Sequence, residues 1–263
     1  MPSYRPVNAL VRGLEVLRAT SQLEGRATVG EIHRHTNLDK ATIVRMLETL
    51  VYAGYVVRDD EGRRYQITGK TLRLSVGYDG LRSVGTILAP ILDDFRTAVG
   101  WPSDVGVFDN DAMVVVETSR EPGPVFLNRL PGYRAPILGT SLGLVYLAHC
   151  AQAVRSEALQ RVAADPAPWN ELARDPVSAE KAFARIRRHR YATMHPRYCE
   201  QEYEGRISSV GVPIAQNGRV FATLNVLYLV NALAPKKAVQ TLLPPLEEAA
   251  ARMAGELAER WAD

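Results

Sequence analysis

The feature that most constrains this chain is the order of local signals between residues 7 and 67. Val7, Leu10, Val11, Leu14 and Leu17 recur at helical spacing, which predicts an amphipathic helix over residues 7–20 with one buried face. Gly25 ends the connection after it. Thr28, Val29, Gly30 and Glu31 have the T-x-x-E form of a capping box. In that box the threonine and glutamate side chains each satisfy a backbone N–H that a helix start leaves unpaired. A short second helix is predicted over 29–35. Thr36, Asn37 and Leu38 form a turn, and Asp39 is placed to cap a third helix through residue 53. The apolar face of that helix is Ile43, Met46, Leu47 and Leu50, and Gly54 stops it. Residues 55–57, the turn-forming run Asp59, Asp60, Glu61 and Gly62, and residues 64–67 then read as a β-hairpin.

Three helices followed by a hairpin are the parts of a winged helix-turn-helix. In that arrangement the third helix lies in the major groove of duplex DNA, its N-terminal residues reach base edges, and flanking cations hold phosphates. Opposite the apolar face of helix 39–53 stand Lys40, Ala41, Thr42, Val44 and Arg45. Lys40 and Arg45 can donate to phosphate or guanine, Thr42 can bond a phosphate or a base, and the small Ala41 permits close approach. Arg12, Arg63 and Arg64 supply flanking cations. The same exposed residues also suit a merely solvated helix face. Charge follows the division: residues 1–70 carry 11 Lys and Arg against 8 Asp and Glu, whereas the rest of the chain carries 21 of each. A basic small domain joined to a neutral large one is what a DNA reader with a separate sensor shows.

The expected domains are the winged helix-turn-helix over 1–70, a linker over 71–83 and a larger domain over 84–263. The linker has helical spacing at Leu72, Leu74 and Leu81, weakened by Gly77 and Gly80. Beyond it the pattern mixes helices and strands. A helix over 84–99 buries Ile87, Leu88, Ile91, Leu92 and Phe95. Strands follow at 105–108 and 113–116 around the turn Asp109, Asn110 and Asp111. Helices are predicted at 141–150, 152–163, 178–188 and 235–260. The clearest hairpin joins 206–215 to 219–229 through Gln216, Asn217 and Gly218, because Asn-Gly supplies the positive φ angles of a tight turn. Helices flanking an antiparallel sheet make the fold class two-domain α+β.

Several function classes recede on composition and motif. No apolar run reaches the roughly 18 residues that span a bilayer, and the N-terminus lacks the apolar core of a signal peptide, so a cytoplasmic protein without membrane contact is expected. Cys150 and Cys199 are the only cysteines among 263 residues and are too far apart for a CxxC motif, which points to reduced thiols. His33, His35, His149, His189 and His195 include no H-E-x-x-H, and no Walker loop, G-x-S-x-G elbow or G-x-G-x-x-G occurs. No metal site, cofactor or catalytic residue is assigned. Cys199 with His195 four residues away resembles a nucleophile and base, but the proline between them predicts an irregular segment.

The segments VRGLEVL, TVGEIHRHTNLDKATIVRMLETLVYAGYV and YQIT resemble the N-terminal domain of the IclR family of regulators. The likeness continues through LAPILDDFRTAVGWPSDVGVFDNDAMVVVET, YRAPILGTSLGLVYLA, IRRHRYA and EGRISSVGVPIAQNGRVFATLNVLYL, so it covers nearly the whole chain. Within the family, WPSDV, DAMVV and TSLGLVYLA are most similar to regulators of aromatic-acid degradation, including activators of 3-hydroxyphenylpropionate catabolism. One departure is Ser141, Leu142, Gly143 and Leu144 where many members have Ala-x-Gly-Lys; a lysine-based contact does not transfer.

The resemblance implies a sensor similar to a GAF domain and a linker that sets the position of the DNA-binding heads, although the linker alone reads equally as a domain boundary. It further implies a homodimer or a dimer of dimers on a double-stranded operator, with RNA polymerase as a further partner. It brings Ser141, Leu142 and Gly143 to one wall of an effector site and Tyr198, Ser208, Asn225 and Leu227 to the other, with no acidic group among them. Neutral donors and a helix N-terminus suffice for one carboxylate, so the expected effector is a small, aromatic or other, organic acid. Each residue also has a plainer role: Ser141 as an N-cap, Leu142 and Leu227 as core, Asn225 as a satisfied buried amide. Two alternatives to a regulator stay open, a ligand-binding module that controls a protein partner and a hydrolase.

Overall fold

The computed structural model describes residues 4–23, 26–59, 61–119 and 131–260, with backbone alone for 75–83. The chain divides into two compact units, Met1–Asp79 and Gly80–Asp263.

In the first unit, α1 (Asn8–Gln22) is followed by β1 (Arg26–Ala27), α2 (Val29–Thr36), α3 (Lys40–Tyr52), β2 (Val56–Arg58) and β3 (Tyr65–Ile67). The strands form an antiparallel sheet in the order β1-β3-β2, of which β1 was not foreseen. Both predicted caps are present. Thr28 accepts the N–H of Glu31 while Glu31 accepts that of Thr28, and Asp39 accepts the N–H of Thr42 at 2.9 Å. Asn37 ends α2 in the left-handed region at φ 58°. Gly25 and Asp60 lie outside the described residues.

Val16, Ala19, Ala27, Ile32, Ile43, Leu47, Val56 and Tyr65 make the core, with Met46 and Leu50 partly buried against it. This corrects the expected inner face of α1. The helix buries Val16, Ala19 and Thr20 and half-buries Leu17, whereas Val7, Leu10, Val11 and Leu14 are 52–68% exposed. The apolar periodicity was real, but most of that stripe points away from the core of its own unit.

Residues 69–99 are helical without a break: a 3-10 helix, Gly69–Tyr78, runs directly into α4 (Asp79–Val99). Leu72 and Leu74 are exposed; the side chain of Leu81 lies outside the described ones. The helix starts earlier than the expected 84.

In the second unit, β4 (Ser103–Asp109), β5 (Ala112–Thr118), β6 (Arg134–Pro136), α5 (Ser141–His149), α6 (Gln152–Val162), α7 (Glu171–Arg174), α8 (Pro176–His189), β7 (Ala192–Thr193), α9 (Pro196–Tyr203), β8 (Ile207–Gln216), β9 (Arg219–Leu229) and α10 (Pro235–Arg260) follow in order. The six strands are antiparallel in the order β6-β5-β4-β9-β8-β7. Asn217 and Gly218 turn β8 into β9 at φ 51° and 79°, as a two-residue hairpin of right-handed twist requires. Alternate side chains face opposite sides of this sheet. Val105, Val107, Val210, Val212, Leu224, Val226 and Tyr228 pack against α4 and α10. The other side receives α5, whose Leu142 packs with Met113, Val115 and Ala135.

Around Pro196 the expected irregular segment is instead helix α9. Proline stands in its first turn, where a missing N–H and a preset φ cost nothing. His195 precedes it as N-cap, its Nδ1 accepting the N–H of Arg197 at 3.2 Å.

Candidate functional site

In the first unit the capped start of α3 sets the geometry of the exposed face. Ile43 and Leu47 are fully buried, so Lys40, Ala41, Val44 and Arg45 are exposed and Thr42 is half-buried. Neither the Lys40 ammonium nor the Arg45 guanidinium has a hydrogen-bond or ion-pair partner among the described residues. Arg12, on α1, and Arg63 and Arg64, on the hairpin, are exposed as well.

Two supports were not read from the sequence. Lys70 Nζ donates to the carbonyl of Ala53 at 2.8 Å and lies 4.9 Å from the Tyr55 ring centroid, so it closes the C-terminus of α3, where a cation is favoured. Asp59 shapes the hairpin turn by accepting the N–H groups of Arg63 and Arg64 at 2.8 and 3.1 Å. Its carboxyl is held below the usual range, chiefly by the hydrogen bond from the backbone of Arg64. Glu31 and Asp39 are lowered likewise, by their bonds to Thr28 and to Thr42.

In the second unit the start of α5 is pressed onto the sheet. Thr140 caps it, accepting the N–H of Gly143 at 3.2 Å while donating to the carbonyl of Pro136 at 3.0 Å. A Cβ on Gly143 would lie 2.0 Å from the Ile137 oxygen, so this glycine is demanded by packing. Ser141 Oγ and Ser209 Oγ, both fully buried, are 2.7 Å apart. Ser141 is thus in the helix without being its cap. Leu142 is core, 1% exposed.

Asn225 is 2% exposed, and its Oδ1 accepts the N–H of Asp104 at 2.9 Å. Aromatic groups stand on both sides of this polar strip. Phe108 and Tyr146 stack at 4.7 Å, and Tyr146 is pushed up to about 12 by burial. Tyr198, packed with Met194 and Leu227, meets Trp169 edge-on at 5.0 Å, and its Oη is 3.1 Å from that of Tyr133.

Of the expected wall residues, Ser141, Leu142, Tyr198, Asn225 and Leu227 gather on this side of the sheet, and Ser208 does not. In the β8·β9 register Ser208 opposes Tyr228, which faces α4 and α10, whereas Ser209 opposes Leu227. The hydroxyl that belongs with Asn225 and Leu227 is therefore Ser209, one residue along. Ser208 sits beside Tyr228 Oη, a buried phenol raised by burial and without a hydrogen bond of good geometry among the described residues. One acid stands next to the expected wall residues. Asp104, 2% exposed, is paired across the sheet with Asn225, and its Oδ1 accepts from Thr118 Oγ1 at 2.6 Å.

Cys199 and His195 do not form a nucleophile and base. The thiol donates to the carbonyl of Ile207 at 2.9 Å and is raised by burial, while His195 spends Nδ1 on the helix cap and is lowered by burial. Among the described residues no cluster of His, Cys, Asp and Glu is arranged to hold a metal ion, and no helix is long and apolar enough to cross a membrane.

Comparison with known proteins accords with both units. The model of the IclR helix-turn-helix domain matches residues 9–60, and that of the bacterial transcriptional regulator IclR C-terminal matches residues 81–254. The Pca regulon regulatory protein of Pseudomonas putida is 26% identical over 243 residues, 91% of this chain and 80% of that one. The p-hydroxybenzoate hydroxylase transcriptional activator of Acinetobacter baylyi is 23% identical over 252 residues, 93% of this chain and 89% of that one. Among solved structures, an IclR homolog complexed with 4-hydroxybenzoate from Microbacterium hydrocarbonoxydans matches with a TM-score of 0.67 at 22% identity, over 95% of this chain and 99% of that one. With one family model on each unit, this chain belongs to the IclR family of DNA-binding transcriptional regulators.

Proposed function

We propose that this regulator reads its operator with Lys40, Ala41, Thr42, Val44 and Arg45 of α3, and that Arg12, Arg63 and Arg64 contact phosphates. Operator occupancy is controlled by an aromatic carboxylic acid bound on the α5 side of the sensor sheet. The observation that carries the effector reading is the buried polar strip on the α5 side of the sheet, the Ser141–Ser209 hydroxyl pair with Asn225. Beside it lie the start of α5, where unpaired N–H groups and the helix dipole favour an anion, and the rings of Tyr198 and Tyr133. One polar end and flat apolar walls suit a benzoate-like acid. The relatives named for Pca and p-hydroxybenzoate regulation support the same class.

The exposed stripe of Val7, Leu10, Val11 and Leu14 supports self-association as a homodimer, or as a homotetramer built from it. A symmetric pair sets two reading helices about one DNA turn apart.

The test is calorimetric. 4-Hydroxybenzoate at a hundredfold excess over its dissociation constant stabilises the liganded unit by about 2.7 kcal/mol, raising the melting temperature and changing operator affinity. A panel of aromatic acids that moves neither quantity, beside a short aliphatic acid such as pyruvate that moves both, refutes the aromatic assignment.

A further inference from the structure

We infer that the specificity of this protein includes thymine, read through its C5 methyl group by an apolar strip on α3 made of Ala41 and Val44. This rests on α3 being the reading helix. Val44, the fifth residue of α3 and immediately beside the fully buried Ile43, keeps 38% of its surface exposed. A β-branched residue on an exposed helix face is also a poorer helix former than the alanine three positions earlier. Residues three apart on a helix are neighbours, so Ala41 and Val44 form one continuous apolar surface. On either side stand Lys40 and Arg45, whose charges have no partner among the described residues. Glu48, the next residue along that face, is turned to the hairpin by Arg58, 3.8 Å away, and by Tyr65 Oη at 3.4 Å.

A strip with a cation on each side and no polar atom of its own has one counterpart in the major groove. Base edges there present hydrogen-bond donors and acceptors, and the only apolar group is the methyl of thymine. The spacing adds register. Three residues of helix advance about 4.5 Å, more than one base-pair step of roughly 3.4 Å and less than two. Ala41 and Val44 therefore face thymines of adjacent A·T pairs, and Arg45 is placed to donate to a guanine beside them.

The experiment replaces thymine by uracil, which removes the methyl and nothing else. The full chain is used to enrich binding duplexes from random DNA, and each thymine of the selected half-site is then changed to uracil at fixed salt. Two adjacent positions are expected to weaken binding by about fourfold each, the value of one buried methyl-sized group at about 0.8 kcal/mol. Val44→Ala should bind the thymine duplex about as weakly as the native chain binds its uracil counterpart, and should no longer distinguish the two at one position. If every uracil duplex binds like its parent while Arg45→Ala and Lys40→Ala lose affinity, the methyl contact is overturned and α3 remains the reader. If those two variants bind normally, or no duplex is enriched, the reading helix is misassigned and this inference falls with it.

Discussion

Exchanging one hydroxyl at a time on strand β8 decides which face of the sensor sheet meets the effector. Ser209 Oγ and Ser141 Oγ form a fully buried pair at 2.7 Å. Ser209→Ala leaves the Ser141 hydroxyl buried without its partner, at a cost of about 1–3 kcal/mol. Ser141→Ala costs a similar amount. The double variant is expected to fall short of the sum by about 0.5–1.5 kcal/mol, because the second change removes a group already orphaned. In a unit of this size each kcal/mol moves the melting temperature by about 2–4 °C, so either single change lowers it by about 2–12 °C. Ser208→Ala should cost under about 1 kcal/mol, since its hydroxyl lies on the Tyr228 side and makes no bond of that quality. Scanning calorimetry of the full chain reads these shifts, and repeating each scan with saturating 4-hydroxybenzoate gives the ligand increment. Ser209→Ala should shrink the increment and Ser208→Ala should leave it whole. The opposite pattern, with Ser208→Ala abolishing the increment and Ser209→Ala touching neither melt nor ligand response, would refute the assignment of faces.

Arg45→Ala and Lys40→Ala should weaken operator binding measured by fluorescence anisotropy. A base contact costs about 1–3 kcal/mol and is selective for sequence, whereas a phosphate contact weakens all duplexes and lowers the salt slope by about one. Leu10→Glu with Leu14→Glu should shift the light-scattering mass at micromolar protein toward the monomer without lowering the melting temperature, because neither side chain is buried in its own unit; an unchanged mass refutes α1 as the self-association surface. Acid should loosen the DNA-binding unit through Glu31, Asp39 and Asp59, whose carboxyls are lowered in the folded state. A lowered folded value means their stabilisation is present above the unfolded carboxylate range near pH 4 and is lost as pH falls through the folded values. Helicity followed by circular dichroism should therefore decline below about pH 4 in the native chain, and less steeply with pH in Asp39→Asn, which keeps a capping oxygen but cannot titrate; equal slopes would remove the Asp39 cap as a source of acid sensitivity.

The elements that were legible in the sequence are those whose signals are local. A capping box, an aspartate N-cap and an Asn-Gly turn each state a backbone requirement within four residues, and α2, α3 and the β8·β9 hairpin follow them. The short strands β1, β6 and β7 carry no such signal because they are made by pairing with partners distant in the chain. Pro196 was read as a helix breaker, yet proline breaks a helix only where an interior N–H is needed; with His195 capping, the same residue starts one. The place of Ser208 in the effector wall, which the family resemblance implies, fails for a different reason. Strand β8 is covered on both sides for much of its length, with Val210, Gly211 and Val212 successively buried. Alternation of polar and apolar residues then no longer marks the two faces, and a one-residue error turns every side chain over.

The same limit governs apolar residues on helices. Periodicity announced an apolar stripe on α1 and an apolar face on α3, and it said nothing of what would cover them. Ile43 and Leu47 are covered by their own unit, Val44 only in part, and Leu10 and Leu14 are left largely exposed. The three cases differ in geometry and not in residue type. Ile43 and Leu47 meet the cores of α1 and α2. Leu10 and Leu14 lie one turn apart on α1, and the proposed pairing with a second chain would remove them from water at about 25 cal/mol per Å². Val44 stands alone among Lys40, Ala41 and Arg45, a surface too small and too cationic to hold a second protein chain and well suited to a polyanion that carries methyl groups. On the proposed reading, exposed apolar surface on this unit divides between two partners by its extent and its neighbouring charge. If that division is correct, Leu10→Glu weakens operator binding only through loss of the dimer, and covalently linking two chains restores it, whereas no linkage restores binding to Val44→Glu. Restoration of both, or of neither, would mean that the two patches serve one surface.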